Sequence, residues 1–412
     1  MQRGAFAVVR RFNAMLSLMR GIWFWPTIAG ALTPKYHWLV IALRQLHDGG
    51  RLDRRLTRWD PELQFASISP KSGPCRLMHS FRLFKAQRSM PMIRTSHVVA
   101  LAVVLGFSVR ASAEEVVNFG VQPSTQPILI ANGAGYLKPI EDKYKIKIVL
   151  RSFTYGAPEN QALAAGELQI ASAGMGPAVL AAARLPATLV AIDILDQTAI
   201  LVPKDSKITS VAGLKGAKIA FPGEGSQQYP LLIKALADAH LDVKDVQLFK
   251  TDGSQVATLL ANKSVDAGIT WDPHVSRALA DGVARVLASS AQIMPIKNGH
   301  YVGDGTYVRD DFMKAHPDIV QDLVSVQVKA IDMVLNDPER AIDIWTKENG
   351  FPRSVIEYAV KQKISVFDRN IVPEKSTIDA YTAFLKKAGL LNDTDNPKVE
   401  PKFAEQAMKD VK

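Results

Sequence analysis

Two segments nearly a hundred residues apart in this chain share one pattern. Residues 162–177 run from helix through an Ala-Gly-Glu turn into a strand and a proline-marked helix start, and residues 258–273 do the same with Asn-Lys-Ser as the turn. The unit recurs inside a longer alternation. Strand-like runs over 116–121, 146–150, 168–171, 188–192 and 199–202 are separated by helical stretches. A second set follows over 218–221, 246–249, 265–269 and 283–287, and after about Asp310 the pattern is helical alone. Alternating β and α units build sheets covered by helices. The expected fold is α/β with two similar lobes, each a mostly parallel sheet flanked by helices. Small molecules sit beyond the carboxyl ends of strands in open α/β sheets, so facing lobes would share a cleft there.

Charge divides the chain before any site is considered. The net charge of +10 comes from residues 1–89, which hold 15 Lys and Arg against 4 Asp and Glu. Residues 114–412 hold 33 basic against 36 acidic side chains, a net of about −3, so the basic footprint of a nucleic-acid binder is missing there and no nucleic-acid partner is expected. The only cysteine, Cys75, also falls in the first 89 residues. That segment is expected to be a basic N-terminal extension from a mis-called start, with a membrane-surface or regulatory arm as the alternative. Residues 90–113 read as an export signal, with Arg94, an apolar run over 98–109, and Ala111, Ser112 and Ala113 before Glu114. The apolar run is too short to span a bilayer, so cleavage after Ala113 would release a periplasmic protein.

Several turns at strand ends could hold a ligand. Over 221–229, FPGEGSQQY closes a strand in a glycine-bearing turn and enters an amphipathic helix, placing Gly225, Ser226, Gln227 and Gln228 where free N–H groups and a partial positive charge favour an anion. Ser226 is the natural cap; because Pro230 would then fall at the fourth helical position, the helix start is also open to Gln227 or Gln228. The matching turn, with Ser172, Gly174, Met175 and Gly176 before Pro177, would offer N–H groups from the opposite wall. Ser124, Thr125 and Gln126 follow the first strand as donors or as helix caps. Trp271 could pack on a ligand, with Asp272 beginning the next helix, or both could be core and cap. Asp193, Asp196 and Asp304 lie near strand ends, as partners for a ligand amine or as ordinary caps. His240, His274, His300 and His316 are scattered, and the chain from Glu114 onward has no cysteine. No enzymatic activity, cofactor or metal is expected.

Three runs carry a resemblance: AILVPKDSKITSVAGLKGAKIAF, KSVDAGITWDP and GSQQYPLLIKAL. The region from Val116 to about Pro373 resembles the aliphatic sulfonate, nitrate and taurine branch of ABC-importer binding proteins. The resemblance implies the type II periplasmic-binding fold. It divides the chain into a first part of lobe 1 over 114–200, lobe 2 over 201–298, and the completion of lobe 1 with C-terminal helices over 299–412. Hinge crossings would lie near 199–202 and 296–302. It further implies a monomer that binds a small anion or zwitterion, such as an aliphatic sulfonate or taurine, gripped by the two glycine turns, and delivers it to an ABC permease with its ATPase. Nitrate, a pyrimidine thiamine precursor or an aromatic acid are the alternative ligands. An enzyme on the same fold or a periplasmic sensor adaptor are the alternative functions. The basic leader has no counterpart in the family pattern.

Overall fold

The computed structural model describes residues 115–411; the expected basic extension over 1–89 and export signal over 90–113 lie outside them. In chain order, β1 (Glu115–Val121) leads through α1 (Pro127–Gly133) and α2 (Lys138–Tyr144) to β2 (Ile146–Ser152). Then come α3 (Gly156–Ala164), β3 (Ile170–Gly174), α4 (Met175–Arg184) and the fully buried β4 (Ala187–Asp196). The chain crosses to a second sheet through Gln197 alone. There it forms β5 (Thr198–Pro203), β6 (Lys218–Phe221), α5 (Gln228–Asp238), β7 (Gln247–Lys250), α6 (Val256–Ala261), β8 (Ala267–Trp271), α7 (His274–Ala280), β9 (Ala284–Ser289) and α8 (Ser290–Ile293). It returns in β10 (Val302–Arg309) and continues with α9 (Asp310–Ala315), α10 (Pro317–Asn336), α11 (Pro338–Asn349), α12 (Arg353–Lys361), the two-residue β11 (Ser365–Val366), α13 (Lys375–Lys387) and α14 (Lys402–Asp410).

The first sheet has the order β11-β4-β10-β3-β1-β2 and the second β7-β6-β8-β5-β9. Pairing is parallel where helices connect consecutive strands, as β1 joins β2 and β3, and β6 joins β7 and β8. The strands next to the crossings, β5 and β10, run antiparallel to both their neighbours. The two-lobe α/β fold therefore holds with mixed sheets. The expectation of mostly parallel pairing missed the reversal of β5, and it missed β10 altogether, whose Gly303 and Gly305 weaken its strand pattern.

The repeated unit folds alike in both lobes. After α3 and after α6 the chain turns through one left-handed residue, Gly166 at φ +80° and Lys263 at φ +53°. The turns close with the same bonds, Gly166 N–H to Leu163 O and Glu167 N–H to Ala162 O in one, Lys263 N–H to Leu260 O and Ser264 N–H to Leu259 O in the other. Glycine meets that backbone freely in the first lobe, and lysine adopts it in the second.

Lobe 1 buries α10 mainly against α14, α1 and α11. Pro317 starts the helix without losing an intrahelical bond. Its apolar stripe, including Ile319, Leu323, Val326 and Ala330 at three- and four-residue spacings, is buried. A lobe boundary at 200/201 would cut β5, which lies wholly in the second sheet. The crossing instead turns at Asp196 and Gln197, both left-handed at φ +59° and +77°. Bonds hold this costly backbone in place. Asp196 N–H donates to Tyr301 O, Gln197 N–H to Ile364 O, and Asp272 N–H to Gln197 O.

The second crossing is tied to the first by one carboxylate. Asp196 Oδ1 accepts from Tyr301 N–H at 3.0 Å and Ser290 Oγ at 3.2 Å, while Oδ2 meets His300 Nδ1 at 2.6 Å. Truncating this acceptor leaves the Tyr301 amide and the Ser290 hydroxyl without it in a buried place. Asp196→Ala is expected to destabilise the protein by about 3 kcal/mol in urea unfolding of the full chain. A loss below about 0.5 kcal/mol, the range of ordinary surface substitutions, would show that the crossings do not depend on it.

Candidate functional site

The carboxyl ends of β3 and β8 face one another across the lobes and, with the turn before α5, enclose a narrow cleft of about 240 Å³ including its open mouth. Gly174, Gln227, Gln228, Trp271 and Asp304 line it, joined by Gln122, Tyr155, Gly156, Pro177 and Gln197. Tyr155 and Gly156 follow the end of β2, a position at which a ligand contact could have been anticipated. Gln197 sits on the crossing, where nothing in the local sequence marks it.

Across this cleft the lobes touch backbone to side chain. Gln227 Oε1 accepts from Met175 N–H, the first amide of α4, at 2.9 Å. The approach needs Gly174, because a Cβ there would lie 2.4 Å from that same oxygen. Gly225 is equally confined, since its Cβ would lie 2.4 Å from the Ala157 Cβ of lobe 1. Gly176 lies against the Gln227 backbone with ordinary spacing. Helix α5 begins at Gln228, so Pro230 falls within the first turn, where its missing N–H has no intrahelical partner to lose. Ser226 is not its cap, because the Ser226 hydroxyl donates to Gly223 O at 2.7 Å and closes the turn before the helix. The Gln227 and Gln228 amides both reach Thr198 Oγ1, at 3.4 and 3.2 Å.

Other expected contacts are used within the protein. Gln126 is consumed on both ends: Oε1 accepts from Gln122 N–H at 2.9 Å, and Nε2 donates to Ser172 O and to Asp304 Oδ2 at 2.9 Å. The Ser172 hydroxyl donates to Asp193 Oδ2. Thr125, Ser365 and Asp272 form a chain from lobe 1 to lobe 2, 2.7 Å from Thr125 Oγ1 to Ser365 Oγ and 2.9 Å from there to Asp272 Oδ2. Asp272 Oδ1 caps α7 by accepting from the Ser276 amide and hydroxyl. Asp272 is therefore a cap and a lobe connector, away from the cleft lining. Ser124 is buried, and its hydroxyl has no partner. The Trp271 ring covers Gly253 and meets His274 edge-on, its Nε1 3.3 Å from Pro123 O of lobe 1. Less of the indole is thus free for a ligand than a strand-end position suggests.

At and behind the cleft lobe 1 buries three carboxyl groups, Glu159, Asp193 and Asp304. Burial pushes Asp193 up to about 7, although the Ser172 and Thr306 hydroxyls favour its charged form. Burial also raises Glu159 and Asp304 well above the carboxylate range, with Asp193 adding its repulsion at Asp304. Asp272 is raised by burial to about 6, and buried His274 is lowered to about 4. Among the described residues no group of three or more His, Cys, Asp or Glu is arranged to hold a metal ion. No helix among them is long and apolar enough to cross a membrane.

Residues 122–341 match the family model described as NMT1/THI5 like. A putative aliphatic sulfonates-binding protein of Bacillus subtilis (strain 168) is 30% identical over 248 residues, covering 60% of this chain and 73% of the relative. The crystal structure of the periplasmic aliphatic sulphonate binding protein SsuA from Escherichia coli superposes with a TM-score of 0.57 at 23% identity, over 69% of this chain and 96% of that one. The desulfurization enzyme DSZB shares the fold at a TM-score of 0.51 and 18% identity, over 72% of this chain and 99% of its own.

The raised carboxyl groups link stability to pH. Unfolded Asp releases its proton near 3.8, and Asp193 holds its own to about 7, so between these values the folded chain binds more protons and stability falls as pH rises. His274 acts oppositely between about 4 and 6.5, because there the folded imidazole binds fewer protons. Above pH 6.5 the His274 effect is spent and that of the buried carboxyl groups remains. The melting temperature is expected to fall from pH 6.5 to 8, and to fall less in Asp193→Asn. A rise across that window in the parent chain would contradict the burial of these acids.

Proposed function

The chain belongs to the NMT1/THI5-like family, and from that premise we propose that it is the exported substrate-binding component of an ABC importer. Its lobes close on a small anion or zwitterion, such as an aliphatic sulfonate or taurine, and present the closed form to a membrane permease. Export follows from the signal read over 90–113.

One observation carries this reading: the first amide of α4 engages an acceptor oxygen that reaches it from the opposite lobe, Gln227 Oε1 on Met175 N–H. A sulfonate or carboxylate oxygen seated at that N–H makes the same bond, with the helix dipole in its favour. It would bridge the lobes as Gln227 does. Closure of this kind is a hinge motion stabilised by contacts to both lobes, and Asp196 and Gln197 are the residues that absorb it. The cleft lining consists of amides, aromatic rings, glycines, a proline and one carboxyl group. That set suits recognition better than bond cleavage. Because a desulfurization enzyme has the same fold, turnover is the competing outcome. Recovery of the bound compound unchanged by mass spectrometry separates the two.

A thermal-shift panel of taurine, alkanesulfonates, nitrate, bicarbonate, pyrimidines and aromatic acids tests the ligand class. A ligand at a hundredfold its Kd adds about 2.7 kcal/mol to the folded state. That raises the melting temperature by about 5 °C or more. Shifts from neutral or purely cationic compounds alone would defeat the proposal. The glycine contact gives a second test. Gly225→Ala puts a methyl group against Ala157 and props the lobes apart, so affinity is expected to drop at least about tenfold, a cost of about 1.4 kcal/mol. Adding Ala157→Gly removes the obstruction and is expected to restore binding. Unchanged affinity in the single variant would show that the ligand does not require this closed contact.

A further inference from the structure

We propose that an anion is captured in this cleft together with a proton held on Asp304, so that ligand binding is coupled to proton uptake and Asp304 faces the ligand as an uncharged group. The inference rests on the reading of the cleft as an anion site and goes beyond it by assigning what keeps the site from repelling its ligand.

A charge taken out of water needs a partner, and the cleft supplies no cation. Among the described residues its lining contains no Lys, Arg or His. Its one carboxyl group, Asp304, is 1% exposed and lies beside the proposed seat. Asp304 pairs directly with Gly174 in the β10–β3 ladder, and the next residue, Met175, presents the amide proposed for the anion. Directly paired Cα atoms lie about 5 Å apart. An ionised Asp304 would therefore repel the ligand that the Met175 amide attracts. A protonated Asp304 is neutral, and its O–H can donate.

The hydrogen bonds around Asp304 leave a place for that proton. Oδ2 accepts from Gln126 Nε2 at 2.9 Å, and the same amide nitrogen also donates to Ser172 O. Oδ1 has no partner among the described residues. The Gln197 side chain lies close enough to favour the charged form of Asp304, yet no bond of ordinary geometry reaches Oδ1. A proton on Oδ1 turns this orphaned acceptor into a donor. An anionic ligand oxygen then provides the acceptor.

The surroundings favour the protonated form once the lobes are closed. The ionisable groups that act on Asp304 or feel it are Asp193 of β4, Glu159 of α3, Tyr301 just before β10, Tyr307 of β10 and Tyr381 of α13. None is a cation, and the His300 ring of the second crossing meets Asp196 instead. Burial and the repulsion from Asp193 together raise Asp304 well above the carboxylate range. Gln227, Gln228 and Trp271 of lobe 2 close the cleft over it. Opening the lobes admits water, which stabilises the charged form and releases the proton. Closure on an anion returns one proton from solvent to Asp304, and the closed cleft carries one negative charge instead of two. No bond of the ligand is made or broken.

Proton uptake makes affinity fall as pH rises, by up to about tenfold per pH unit. Titration calorimetry of the full chain with ethanesulfonate, taurine, nitrate and benzoate tests this, because all four keep their charge from about pH 6 to 7.5. The affinity of those that bind is expected to fall at least about fivefold across that range, with a buffer-dependent enthalpy that reports proton uptake. Asp304→Asn, with a permanently uncharged side chain, is expected to bind more tightly than the parent at the upper pH and to vary by about twofold or less across the range. If that variant does not fold, Asp193→Asn, which removes the repulsion, is expected to move the fall to lower pH. A parent affinity that does not change with pH, with an enthalpy independent of buffer, overturns the inference and leaves the binding-protein reading standing. Proton uptake that persists in Asp304→Asn, or a fall that Asp193→Asn does not move, overturns it too. Failure of all four probes together with every other anion of the wider panel defeats that reading, and this inference with it.

Discussion

Both connections between the lobes converge on the Asp196 carboxylate, which accepts from the Tyr301 amide and the Ser290 hydroxyl and meets the His300 ring. It sits at the end of a fully buried strand, one residue before the chain enters the second sheet. Left-handed backbone at Asp196 and Gln197 turns the first crossing sharply, and the carboxylate then anchors the second crossing to that turn. Across the cleft the lobes are joined further by Gln227 on the Met175 amide and by Ser365 on Asp272. A cleft that closes on a ligand needs such a pivot, because contacts from two rigid lobes count only when their approach is repeatable.

On the closing side the controlling feature is the absence of side chains. Gly174 admits Gln227, and Gly225 admits Ala157. The lobes approach until backbone amides of one are within reach of amide side chains of the other. Such a surface presents neutral, oriented N–H groups at the cleft. Asp304 and Gln197 line the same cleft and are almost wholly buried.

Much of this was legible beforehand. Of the ten strands longer than two residues, nine start within about two residues of the runs expected from alternation, because both the β and α periods are written in consecutive residues. The tenth, β10, carries glycines that blur its pattern, and its antiparallel pairing depends on the direction in which the chain returns. Among ligand-site residues, the glycine turns were visible as turns. The roles of Thr125, Gln126, Ser172 and Asp272 were not, because each is decided by a partner far along the chain: Ser365, Asp304 and Ser172, Asp193, and Ser365 again. Ser226 shows the same limit locally, since a three-residue shift in hydrogen bonding converts a helix cap into a turn closure.

The amino-acid sequence alone determined the α/β class, the doubling of the strand–turn–helix unit, and the charge division between a basic segment over 1–89 and a slightly acidic region over 114–412. These follow from composition and from periods that neighbouring residues set for one another. Tertiary structure decided which polar groups are spent on the fold and which remain without a partner. A buried side chain is free or occupied according to what packs against it from elsewhere in the chain, as Thr125 and Gln126 are by Ser365 and Asp304.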